Sequence, residues 1–177
     1  VVVDLETLGV TPGSVILSIS AVHFDLELVS SISTFELGIN VDDSVKLGFT
    51  KDEDTIEWWN NQSKEAKYEL DILLYNSVLV KDALDNFSSF INQIKSTYGD
   101  PIVWGNNPSF DFGLLKAYYD RLGIKIPWNP YNERCYRTLR MTVSKKFIYS
   151  IPFVGVPHRG LDDCIHEAKL ISYILNK

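Results

Sequence analysis

Sulfur is scarce in this sequence. Cys135 and Cys164 are its two cysteines, and one methionine accompanies them in 177 residues. With no CxxC pair, neither a disulfide framework nor a thiolate metal site can be read, and a reducing, cytoplasmic setting is expected. Long apolar runs are also absent: none reaches the ~18 residues of a membrane helix. No basic segment precedes an apolar one at the start, so no membrane association or secretion is expected. The first residue is Val1, from which we expect an initiator methionine and a few residues to precede it. Positive charge is the next shortage. Seventeen Lys and Arg against 23 Asp and Glu leave a net charge of −6, which argues against broad, non-specific coating of nucleic acid. No short repeat occurs, and 12% aromatic content excludes collagen-like, coiled-coil and disordered chains. What is present, 45% hydrophobic and 23% charged residues, describes a globular chain able to bury a core without metal or disulfide. It reads as a single domain over residues 1–177.

Strands come first and helices later. Val1 to Asp4 is an apolar run ending in acid, as in a strand buried on both faces. Val15 to Asp25 and Ser30 to Asn40 alternate, which predicts an antiparallel hairpin around Leu26-Glu27-Leu28. A helix is expected from Asp52 onward, with Asp54 or Thr55 as cap and Ile56, Trp58 and Trp59 opening its apolar stripe. Ser63 to Tyr75 and Val80 to Tyr98 read as two more helices. Pro101 to Asn106 is a short buried strand running into Asn107-Pro108, a helix cap followed by proline. That helix should reach Arg121 and stop at Gly123. A short strand or turn and a helix fill Tyr131 to Val143, and Gly160 to Leu175 forms the last helix. The order predicts an α/β three-layer fold with a central mixed β-sheet flanked by helices.

Several acids do not read as surface. Asp4 and Glu6 leave the same face of a strand within about 7 Å, so they repel one another and call for protons or a cation between them. A strand that simply ends in solvent is the bland alternative. Asp111 falls in the first turn of the helix capped by Asn107, where it would complement the helix dipole. It is also in register with Leu115 and Tyr118, on the packed face, where an unpaired carboxylate is costly. His158-Arg159-Gly160-Leu161-Asp162-Asp163 puts a loop histidine beside an acid in the first turn of the last helix, with Asp162 available as its cap. A mobile acid–base group beside an anchored carboxylate is one reading, and a loop residue beside a dipole acid is the other. Among the other histidines, His23 reads as a packed strand residue and His166 lies well inside the final helix.

VVVDLETLG, WGNNPSFD and HRGLDD resemble the three motifs of the DEDDh group of DnaQ-like 3′–5′ exonucleases, which have an RNase H-like fold. The matches are Asp4-x-Glu6, Asn107-x-x-Phe110-Asp111, and His158 four residues before Asp163. They occur in order across nearly the whole chain. TIEWWNNQSKEA (Thr55 to Ala66) is similar to a segment of phage and prophage-type members. Cys135 stands where the pattern leads us to expect an acid or a small polar residue.

The resemblance implies a phosphodiester hydrolase acting on the 3′ end of single-stranded nucleic acid and releasing nucleoside 5′-monophosphates, with DNA favoured and RNA the alternative. It implies Asp4, Glu6, Asp111 and Asp163 as ligands of two Mg²⁺ ions, for which Mn²⁺ can substitute, and His158 as general base. Thr7 and Leu8 would meet the terminal nucleotide through backbone amide and side chain, and Asn107 would contact the strand. Of the Trp58–Trp59 pair one ring is expected in the core and the other near the site, with Trp59 the candidate stacking residue. Many members of the group are dimers, so a homodimer is compatible, although no segment marks an interface. Arg134, Arg137, Arg140, Lys145 and Lys146 form either a solvated face or a phosphate track. VVVDLETL superficially resembles the nucleophile strand of haloacid-dehalogenase-like phosphotransferases, but Glu6 and Thr7 replace the Asp and Gly which that chemistry needs. A nucleic-acid-binding module with a dead site is disfavoured by the complete set of acids and histidine. Asp52-Glu53-Asp54 lacks the glycine and terminal glutamate of a calcium loop.

Overall fold

Val2–Thr7 forms β1, the middle strand of the sheet. On one side it pairs antiparallel with β2 (Ile16–Asp25), which pairs antiparallel with β3 (Ser30–Gly38). On the other it runs parallel to β4 (Val103–Gly105), itself parallel to β5 (Glu133–Cys135). The order across this mixed sheet is β3-β2-β1-β4-β5. The computed structural model describes residues 1–27 and 30–177, so Leu28 of the expected hairpin turn lies outside the described residues. The helices are α1 (Val41–Lys46), α2 (Glu53–Asn60), α3 (Lys64–Tyr75), α4 (Val80–Tyr98), α5 (Pro108–Arg121), α6 (Tyr136–Arg140), α7 (Lys145–Tyr149) and α8 (Gly160–Leu175). No described helix is long and apolar enough to cross a membrane.

The pleat of β1 sorts its residues onto two faces. Val3 and Leu5 join a core with Ala83, Leu84, Phe87 and Ile91 of α4 and with Phe112, Leu115, Tyr118 and Tyr119 of α5. Full burial of one such side chain, Phe87 for example, contributes about 1.5–3 kcal/mol. Val2 turns the other way, onto Val22, Tyr136 and the Cys164, Ala168 and Ile171 stripe of α8. Even-numbered positions of β1 therefore face α8. This is the three-layer architecture that the element order predicts, and it is the RNase H-like fold that the resemblance implies.

Four local details differ from the sequence expectation. Helix α2 is capped by Asp52, whose carboxylate accepts from the Thr55 amide at 2.9 Å, rather than by Asp54 or Thr55. Asp52 wins because its own amide donates to the Leu8 carbonyl at 2.7 Å, fixing it at the boundary. The short helix α1 is new relative to the sequence pattern. Asn40 caps it, and its Asp43 accepts from the Val80 amide at 2.8 Å, supplying the cap that Leu79 cannot give α4. Helix α7, capped by Ser144, is likewise new. Asp162 is not a cap, because α8 already starts at Gly160; its carboxylate instead accepts from the Val156 amide at 2.9 Å. At Cys135 the sulfur accepts from the Thr138 amide at 3.4 Å and caps α6, the task an acid or hydroxyl would otherwise perform there.

Candidate active site

Asp4 and Glu6 share the α8 face of β1, and their antiparallel partners across the ladder are Ser20 and Ser18. Those small residues leave room beside the carboxylates, and both hydroxyls are buried without a hydrogen-bond partner among the described residues. Gly160, the first residue of α8, brings the helix close: a Cβ there would lie 2.7 Å from the Ser20 hydroxyl and 3.2 Å from Asp4. One turn along, Asp163 completes a triad with Asp4 and Glu6, whose oxygens lie within 4.8 Å of one another. Asp111 comes from α5, on whose first turn the Asn107 cap and Pro108 set it. Its side chain is buried and accepts from the Asn107 amide at 3.3 Å, and Gly105 leaves the space it occupies, since a Cβ there would meet it at 2.6 Å.

His158 sits just before α8 with a positive φ of 64°. That backbone state costs a non-glycine residue about 1–3 kcal/mol, so the surroundings must impose it. Asp163 accepts from the His158 amide at 3.0 Å, and Asp162 holds Val156. Arg159 reaches Glu36 of β3 at 3.1 Å and Glu69 of α3 at 3.4 Å. The exposed His158 ring meets Trp58 edge-on at 5.0 Å. Trp59 is the ring in the core: it is buried, and its indole donates to the Thr7 carbonyl at 2.9 Å.

A cavity of about 730 Å³ is lined by Asp4, Glu6, Thr7, Trp58, Trp59, His158 and Asp163, among others. Leu8 packs against the core instead, and its amide already donates to the Val15 carbonyl at 2.8 Å, so that amide is not free for a ligand. The Asn107 side chain is used in capping, accepting from the Ser109 amide at 3.2 Å, while its neighbour Asn106 lines the cavity. One charged lining residue escaped the sequence reading, Glu167, while Arg137 comes from the basic stretch read there as a solvated face or a phosphate track. Glu167 is buried, with one oxygen unpartnered among the described residues. Its signal was available, because position i+4 from Asp163 falls on the same helix face.

The acids are crowded and dry. Burial, and then repulsion from Glu6, Asp111 and other acids, raises Asp4 well above the usual carboxylate range. Burial, followed by repulsion from Asp163 and Asp111, pushes Glu6 up to about 8. Burial raises Asp111 to about 7 against the opposing pull of backbone amides and Arg137. Asp163 rises to about 6, again by burial, opposed by the His158 charge and amide. An all-oxygen set with unpartnered hydroxyls on its floor suits a hard divalent cation, which would replace the protons. The sign follows from linkage. These groups hold protons in the folded state that the unfolded chain releases near pH 4, so metal-free stability should fall as pH rises from about 4 to 8. Thermal melting across that range with EDTA should show the decline, and Mg²⁺ or Mn²⁺ should raise the melting temperature most at the alkaline end. A metal-free melting temperature that climbs towards pH 8 would contradict the assignment.

Residues 1–175 match the sequence profile of a family described as the 3′–5′ exoribonuclease Rv2179c-like domain. The chain belongs to this family. It is also 28% identical over 122 residues to the exodeoxyribonuclease of Enterobacteria phage T4. That match covers 64% of this chain and 52% of the phage protein, so the chain spans about half the length of its curated relative. Among solved structures, the nuclease domain of 3′hExo, a DEDDh family member bound to rAMP, superposes with a TM-score of 0.65 at 12% identity, covering 99% of this chain and 90% of that one. Exonuclease X in complex with 5′ overhanging duplex DNA gives 0.54 at 17% identity, over 99% and 90% of the respective chains. At these identities the structures establish the fold, and the acids and histidine of this family member occupy one end of its sheet.

Proposed function

We propose that this Rv2179c-like protein is a metal-dependent 3′–5′ exonuclease that hydrolyses single strands to nucleoside 5′-monophosphates. The observation that carries the reading is the convergence of the Asp4, Glu6 and Asp163 oxygens within 4.8 Å, beside a histidine whose amide Asp163 itself holds. Asp4, Glu6 and Asp163 would hold one Mg²⁺ ion, and Asp4 with Asp111 a second, with Mn²⁺ able to substitute. Bound there, the two ions would neutralise the carboxylates and stabilise charge on the attacking and leaving oxygens. His158 accepts the proton of the attacking water. Its anchored backbone fixes where the ring starts, and its exposure lets the proton leave to solvent. Thr7, with Trp59 beneath its carbonyl, forms the wall against which the 3′-terminal nucleoside lies, and Trp58 offers the exposed ring beside it.

DNA is the first choice of substrate, supported by the phage-type Thr55 to Ala66 segment and by likeness to the phage exodeoxyribonuclease. RNA is the second reading, favoured by the family's description. Digestion of 5′-labelled single-stranded DNA, RNA and duplex, each with Mg²⁺, Mn²⁺ or EDTA, tests both. A ladder shortening from the 3′ end, lost in EDTA, is expected. Early internal cuts, or immediate release of a labelled mononucleotide, would overturn the exonuclease polarity.

A further inference from the structure

The basic residues of this acidic chain are unevenly placed. From Arg134 to Leu161 the sequence contains no Asp or Glu, yet it holds six of the 17 Lys and Arg. Five of the six precede the histidine loop. Arg137, Arg140 and Lys145, together with Met141, Ile148 and Tyr149, line a groove of about 340 Å³. Arg137 also lines the carboxylate cavity, so the two depressions share a wall. None of Arg137, Arg140 and Lys145 forms an ion pair among the described residues. Arg140 lies over the Tyr136 ring at 5.7 Å, and Tyr149 is 80% exposed. Cations outside ion pairs, beside an exposed aromatic, are the elements of a single-strand track.

The opposite wall of the carboxylate cavity has the opposite charge. Asp52 and Asp54 line it at the start of α2, which is tied through the Asp52 amide to Leu8 in the loop that leaves β1 towards β2, whereas α6 follows β5, two strands away on the other side of β1. A nucleic-acid strand carries a phosphate on the 5′ side of every residue and none beyond its terminal 3′-hydroxyl. It therefore fits this charge gradient in one direction.

We propose that the groove between α6 and α7 binds the phosphates 5′ to the scissile bond, while the uncharged 3′ end points at the acidic wall of α2. This rests on the exonuclease reading for the position of the scissile bond. The groove would set how many nucleotides the protein grips, and it would make longer strands bind more tightly than dinucleotides.

The test is equilibrium binding of 5′-fluorescein oligothymidylates of two to eight nucleotides, with Ca²⁺ in place of Mg²⁺, over a range of salt concentrations. Wild-type affinity should rise with length. Each cation removed should lower the slope of log affinity against log salt by about 0.7, so Lys145→Gln alone loses about 0.7 and Arg140→Gln with Lys145→Gln about 1.4. The double variant should also lose most of the gain with length. Lys145 is exposed at the first position of α7 and its substitution disturbs no packing, so Lys145→Gln keeps the test valid should the double variant fold poorly. Unchanged slopes and an unchanged length dependence would overturn the proposal. Digestion of the same oligomers in Mg²⁺ separates the two ideas. Wild type that digests from the 3′ end while the variants keep their slopes removes the groove alone. Wild type that fails to digest, yet loses its length dependence in the variants, keeps the groove and removes the exonuclease.

Discussion

Asp4→Asn and Asp163→Asn are each expected to bring turnover to background while the protein still folds. Both changes are isosteric. In the second, the side-chain amide oxygen that replaces the Asp163 carboxylate can still accept from the His158 backbone, so the loop stays in place. What is lost is the negative charge that would bind a cation between the strand and α8. In the metal-free state each change also removes one member of a crowded, desolvated set of acids. The melting temperature of either variant in EDTA should therefore equal or exceed that of wild type near pH 8, and the increment produced by Mg²⁺ should shrink. Activity and melting read together make the test sharp. A well-folded variant retaining more than about a tenth of wild-type turnover would contradict a two-ion site.

His158→Ala should cost ~10²–10⁴ in single-turnover rate, the scale of general-base catalysis, with strand affinity in Ca²⁺ nearly unchanged. Alanine retains a Cβ, so it meets much the same backbone penalty at a φ of 64°, and the comparison isolates the imidazole. The loop bonds made by Asp162, Asp163 and Arg159 do not involve the ring and persist. Since only neutral imidazole can take a proton, the wild-type rate should fall in acid more steeply than that of the variant. A variant as fast as wild type, or one slowed only through weaker binding, would remove His158 from the mechanism.

Much of this site was legible in the sequence because its chemistry rides on simple periodicities. Asp4 and Glu6 share a face by the period of two, and Asp111 follows from a helix start written plainly as Asn107-Pro108. Asp162 was misplaced because a helix start with two adjacent acids has two solutions. The choice between them depends on how tightly α8 approaches Ser20, a tertiary fact hidden in Gly160. Asp52 was missed as a cap for a similar reason, since its register is set by a hydrogen bond to Leu8, 44 positions earlier. Of the tryptophan pair, only the donation to the Thr7 carbonyl decides that Trp59 goes inside and Trp58 stays by the histidine. Helices α1 and α7, of six and five residues, are too short to display a periodicity. Glu167 was readable by spacing, but a lone glutamate in a helix gives no other sign of burial.

Asp163 has two jobs, one for its place in the carboxylate triad and one for the His158 amide. A proton on this carboxylate weakens it as an acceptor, whereas an ion beside it keeps it charged. With an ion bound as proposed, ion occupancy and loop order would thus be coupled through a single side chain, and the coupling would be reciprocal: whatever orders the loop would also strengthen the ion site. The consequence is an interlock. On the proposed reading, the charge that favours an ion at the site also firms the loop that carries His158.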